Sequence, residues 1–162
     1  MFCPNCGCEA PEYAHFCMHC GTPLNGAPAE ERGGTQHFDF PMHTTCDRAS
    51  VMLNDWLSAH AVRITGARFV LDTELLAGTL VPTLTACEVD WLPEEGAEHY
   101  RFGLMMDSRA DLGLNRARGQ KRLIRGFEHW LREHPACEVA GRQDCQLSVG
   151  WVTAWVTVFF FR

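Results

Sequence analysis

A chain of 162 residues, 46% hydrophobic and 21% charged, has the length of one domain plus a small module and is too apolar to be disordered. Its net charge of -6 excludes a general attraction to phosphate or anionic lipid, so nucleic-acid binding would need a local basic patch. The N-terminus shows no basic segment leading into an apolar run, and the uncharged apolar stretch Leu147 to Phe161 is shorter than the roughly 20 residues that span a bilayer as a helix; with an odd count of nine cysteines, this predicts a reduced, cytoplasmic protein with no membrane partner.

The first element is a pair of knuckles. Cys3-Pro4-Asn5-Cys6-Gly7 and Cys17-Met18-His19-Cys20-Gly21 are two copies of C-x2-C-G separated by ten residues. Two residues between cysteines let a tight turn aim both sulfurs at one point, and the glycine that follows can take the positive φ that turns backbone N–H groups toward them. Two such turns complete a tetrahedron. One Zn2+ suits four thiolates because it is borderline-soft and redox-inert, and it supplies folding free energy that so short a segment cannot obtain from a core. With Cys3, Cys6, Cys17 and Cys20 filling every position, the zinc is expected to be structural. Iron and an adventitious disulfide pair are the competing readings. Cys8, His15 and His19 lie near enough to replace a ligand, although Cys8 breaks the paired spacing; otherwise they are surface residues of the module.

The segment resembles the short zinc-ribbon domain found at the N-termini of many bacterial and archaeal proteins. The likeness rests on Cys3, Pro4, Cys6, Gly7, Phe16, Cys17, Cys20, Gly21 and the closing Thr22-Pro23-Leu24, and it covers residues 1–24 only. It implies zinc binding and a structural or docking module that accompanies very different domains. Charge narrows this further. Residues 1–24 carry Glu9 and Glu12 and no Lys or Arg; four thiolates around one Zn2+ leave two negative charges, and the glutamates raise that to four. Such a ribbon repels phosphates, which favours a docking or architectural role over nucleic-acid binding.

Residues 25–35, rich in Gly, Ala, Pro and Glu, read as a linker, with a second domain over 36–162. In HFDFPMH the alternation of Phe38, Phe40 and Met42 predicts a half-buried strand, and Pro41 places it at a sheet edge. From Thr45 the period changes: Ala49, Met52, Leu53, Trp56 and Leu57 define one helix face. VRITGARFVLD predicts a strand with a bulge at Gly66. GTLVPTLTACEVDWL and EHYRFGLMMD predict a hairpin around PEEGA. A second helix is expected at about Arg116 to His134, inner face Leu123, Ile124, Phe127, Trp130 and Leu131, ended by Pro135. The last strand, QLSVGWVTAWVTVFFF, is apolar on both faces and should be central. The order β-α-β-β-β-α-β, with both helices on one face of a mainly antiparallel sheet, defines an α+β domain. It has the general form of ferredoxin-like folds with an added strand or, without its first strand, of secretion-chaperone-like domains, and no motif supports either analogy.

The strongest charged cluster is RADLGLNRARGQKRLIR. Arg118, Lys121, Arg122 and Arg125 share a helix face by their spacings of three and four, with Arg116 and Arg109 preceding them. This stripe could hold an anion, an RNA or an acidic partner. Its bland reading is a solvated face complementing CEVDWLPEEGAE, where Glu88, Asp90, Glu94, Glu95 and Glu98 gather. Cys46, Cys87, Cys137 and Cys145 lack knuckle spacing and read as core or near-surface thiols. His37, His43 and Cys46 as a second metal site, or Cys87 paired with a histidine as a nucleophile, are weaker constellations. The sequence holds no glycine-rich phosphate loop. Five tryptophans fill the core, with one or two at the surface as partner anchors.

The reading is a zinc-binding, non-enzymatic interaction or adaptor protein whose partner is a protein, a second copy of the chain included. A nucleic-acid-associated factor acting through residues 116–125 is the alternative, and an enzyme with a site in the α+β domain a further one.

Overall fold

The computed structural model describes residues 2, 3, 5–10, 17, 19, 20, 33–107 and 116–162. The chain divides into two compact units, Met1–Gly33 and Gly34–Arg162. The expected linker lies mostly outside the described residues, and the first strand begins at Gly34.

The second unit runs β1 (Gly34–Asp39), α1 (Cys46–Ala59), β2 (Val62–Leu76), β3 (Thr79–Pro93), β4 (Arg101–Met106), α2 (Arg116–Glu133), β5 (Val139–Val149) and β6 (Val152–Phe161). These form two three-stranded antiparallel sheets, ordered β1-β3-β2 and β4-β6-β5. The α+β class holds. One strand is gained, because the last apolar run is two strands joined through Gly150-Trp151: Val149 pairs with Val152, and Gly150 takes φ +58°. That is the geometry of a two-residue hairpin turn.

Several local expectations survive. β1 is an edge strand, the β2–β3 register shifts between Ile64 and Gly66, and β6 is central and buried on both faces. The hairpin around PEEGA does not. β2 and β3 are the hairpin, closed at Ala77-Gly78, whose φ values of +50° and +80° match a primed two-residue turn. β3 lies between β1 and β2, both its edges taken, so β4 pairs instead with β6, setting Phe102 opposite Phe160 and Leu104 opposite Val158.

The helices lie on opposite faces, not one. Side chains alternate along a strand, and β6 is apolar at both parities. Ala154, Val156, Val158 and Phe160 join Ala49, Leu53 and Leu57 of α1 in the main core. Phe159 and Phe161 turn the other way, toward α2: Phe159 lies 5.0 Å from the Phe127 ring, and Phe161 5.5 Å from that of Trp130. This removes the ferredoxin-like analogy, which needs both helices on one face. α1 presents Cys46, Ala49, Leu53 and Leu57 inward, leaves Met52 exposed, and lends Asn54 Oδ1 to the Phe102 N–H at 2.9 Å. α2 buries Leu123 and Phe127.

The sheets meet where β2 runs beside β5. Gly141, at φ +61°, is required there: a Cβ on it would come within 2.5 Å of the Ala67 Cβ.

Candidate metal centre and charged surfaces

The first knuckle is built by its backbone. Gly7, with φ +72°, donates its N–H to the Cys3 carbonyl, and Cys3 donates to the Cys8 carbonyl, both at 2.9 Å. A bridge between Phe2 and Glu9 closes the turn. Cys3, Cys17 and Ala10 form a small buried cluster with Cys8 packed against it, while Cys6 and Cys20 are exposed.

The four knuckle sulfurs converge. Cys3 Sγ is 3.6 Å from Cys20 Sγ, Cys6 Sγ is 3.5 Å from Cys17 Sγ, and all four lie within 4.8 Å of one another. Tetrahedral Zn–S bonds of about 2.3 Å require sulfurs about 3.8 Å apart, so the donor set fits zinc in number, chemistry and spacing. The thiols also differ electrostatically. The Cys6 backbone N–H holds Cys3 below the ordinary thiol range; the Cys8 N–H acts on Cys6 in the same direction, but its Cys20 and Cys17 neighbours and desolvation push Cys6 well above that range. Four thiolates so close need a cation among them.

Cys8 and His19 belong to a second donor group that shares Cys6: Cys6, Cys8 and His19 also bring their ligand atoms within 4.8 Å of one another. His15, Pro4, Phe16, Gly21 and Thr22-Pro23-Leu24 lie outside the described residues.

In the second unit, Arg116, Arg118, Lys121 and Arg125 are exposed on α2. Arg122 is drawn inward by Asp107, donating from Nη2 at 2.7 Å and Nε at 3.1 Å to its Oδ2. Arg109 and Asp111 lie outside the described residues. The acidic segment finds cations of its own: Glu88 pairs with Arg68 and with His37 at 3.2 Å, and Glu94 with Arg162 at 2.7 Å. His43 pairs with Glu74, and His37, His43 and Cys46 do not gather into a metal cluster among the described residues. Cys46 and Cys87 are buried, and burial pushes each thiol up to about 12. Of the tryptophans, Trp151 stands out at 84% exposure on the β5–β6 turn.

One constellation is not apparent in the sequence. Arg162 donates to Glu138 Oε2 from Nε at 3.0 Å and Nη2 at 2.9 Å, and its guanidinium lies 4.4 Å from the Tyr100 ring centroid. Tyr100 donates its hydroxyl to Glu138 Oε1 at 2.7 Å. Together with Asn54, His99 and Cys137, Tyr100 and Arg162 line a surface cleft of about 770 Å3. Apolar β6 reveals its burial from sequence, but nothing local announces that Arg162, the residue after it, is held by Glu138 and Glu94.

Residues 2–24 match the zinc-ribbon domain family, in agreement with the knuckle geometry. No curated protein and no solved structure gives a significant match to the chain. No helix among the described residues is long and apolar enough to cross a membrane.

Proposed function

We propose that this is a non-enzymatic interaction or adaptor protein: Cys3, Cys6, Cys17 and Cys20 hold one structural zinc, and the resulting anionic ribbon presents the protein to a protein partner. The carrying observation is the convergence of four thiols in a segment with no Lys or Arg. All four positions of the tetrahedron are then filled by protein, which leaves no place for a reacting water, and the net negative field repels phosphate. Trp151 adds an exposed aromatic of the kind that anchors protein interfaces. The buried, proton-retaining Cys87 is unsuited to the nucleophile role that would support an enzyme.

A second reading has one observation in its favour. Arg118, Lys121 and Arg125 stay exposed at helical spacing, so α2 offers cations to a nucleic-acid backbone. The same experiment separates the two. The full chain and its Cys3→Ala/Cys6→Ala variant are used as baits in lysate, with and without nuclease. The adaptor reading expects a partner that survives nuclease and is lost with the ribbon's metal. Nucleic acid retained by both chains, and released as salt rises, moves the function to α2.

A further inference from the structure

The ribbon contains more metal-binding chemistry than a four-cysteine site uses. Cys8 follows the first knuckle and is fixed there, since its carbonyl takes the Cys3 N–H and its neighbour Glu9 bridges to Phe2. His19 lies inside the second knuckle, between Cys17 and Cys20, and is exposed. Neither is needed to complete the tetrahedron, yet both bring a ligand atom within 4.8 Å of Cys6 Sγ and of each other. In this group Cys6 and His19 are exposed and Cys8 is half-buried, so an ion can enter from water on the side of Cys6 and His19.

We propose that Cys6, Cys8 and His19 form a second metal site, fused to the first through a bridging Cys6 thiolate, for a borderline-to-soft cation of the Zn2+ or Cd2+ type. The site rests on the zinc reading of the ribbon, because it borrows one of that centre's ligands. A thiolate bound to one metal keeps lone pairs for another, and two sulfurs with an imidazole are a donor set that such ions favour. Electrostatics acts in the same direction. Four thiolates around one Zn2+ carry two excess negative charges, with Glu9 close by. A second divalent ion, entering as the Cys8 thiol releases its proton, leaves five thiolates and two zincs with a single excess negative charge. Three protein donors leave a fourth position open to water or to a partner's side chain, so the second ion is held more loosely and exchanges more readily than the first.

The test is Zn2+ titration of the metal-free full chain followed by native mass spectrometry, with a chromophoric chelator in competition to give affinities. Wild type is expected to bind two ions, the second at least about tenfold more weakly. Cys8→Ser/His19→Ala and the milder His19→Ala are expected to lose the second ion and hold the first within about twofold; retention of that first ion shows that the knuckles remain formed. 113Cd NMR should give two resonances in wild type and one in the double variant. One ion in wild type and variants at equal affinity overturns the second site and leaves the zinc ribbon intact. One ion whose affinity falls more than about tenfold in the variants makes Cys8 or His19 a ligand of a single site, which also overturns it. A chain that binds no zinc removes the ribbon reading and the second site together.

Discussion

Gln143 of β5 pairs with the backbone of Phe69 in β2 as a neighbouring strand would. Its carboxamide oxygen accepts the Phe69 N–H at 2.9 Å, and its Nε2 donates to the Phe69 carbonyl at 2.9 Å. One side chain thus satisfies both polar groups of a buried residue at the line where the two sheets meet. Phe69 is at the same time part of the main core, 5.3 Å from the ring of Phe160.

Gln143→Leu keeps the size of the side chain and removes both bonds. Leaving a buried donor or acceptor unpaired costs about 1–3 kcal/mol, so the variant is expected to lose at least that much stability in denaturant titration. Exchange at the Phe69 amide should accelerate with it. Unchanged stability and exchange would mean that water replaces the carboxamide and that the sheets do not depend on this bridge.

Glu138 gives the second unit an acid-sensitive clasp. The Tyr100 hydroxyl and then the Arg162 guanidinium hold its carboxyl below the usual value of 4.5. A lowered acid stabilises the fold in its ionised form. That contribution is therefore complete above pH 4.5 and is lost as pH falls through the lower folded value. The gap in melting temperature between wild type and Glu138→Gln should be widest above pH 4.5 and shrink below it. A gap that is constant down to pH 2 would remove ionisation from the account.

What the sequence reveals follows the range of the interaction. Both knuckles are local patterns, so the four cysteines whose sulfurs converge are legible from spacing alone. The helix faces are nearly as clear: Ala49, Leu53 and Leu57 point inward as their period requires, and α2, described over Arg116–Glu133, stops before Pro135. Strand pairing is a different matter. β3 and β4 look like partners because they are consecutive, yet β2 claims that edge through a turn at Ala77-Gly78, which has no strong sequence mark. β6 carries apolar side chains on both of its faces, which already requires cover on both, and that pattern contains the true placement of the two helices. The basic stripe is legible as a stripe, but which cation turns inward depends on Asp107, fifteen residues before Arg122 and just past the end of β4.

Cys46 and Cys87 should behave as core atoms and not as reagents. Burial, the largest cause in each case, pushes both thiols from 9.0 up to about 12. A raised acid stabilises the fold in its protonated form, so this contribution is whole below pH 9.0 and is lost as pH rises toward 12. Tyr100, pushed from 10.0 to about 12, adds to the loss above pH 10. Iodoacetamide at pH 7.5 followed by peptide mapping is expected to leave Cys46 and Cys87 unmodified in the native protein and to alkylate them once it is unfolded. Rapid labelling of Cys87 in the native state would show an accessible thiolate and reopen the nucleophile reading.

Removing the zinc should separate the two units of the chain. Among the described residues the ribbon buries Cys3, Ala10 and Cys17, and so short a segment does not hold a fold without metal. The second unit has its own core, in which Leu53, Tyr100, Val156 and Phe160 are almost fully buried. Cys3→Ala/Cys6→Ala is therefore expected to purify without metal and to lose ordered amide signals from residues 2–24. The calorimetric transition of Gly34–Arg162 should stay cooperative and shift by no more than about 2 °C, about half of what a loss of 1 kcal/mol produces in a domain of that size. Two contrary results have different meanings. A variant that keeps one zinc would remove Cys3 and Cys6 from the ligand set, whereas a metal-free variant whose main transition also collapses would make the ribbon part of the second unit's fold.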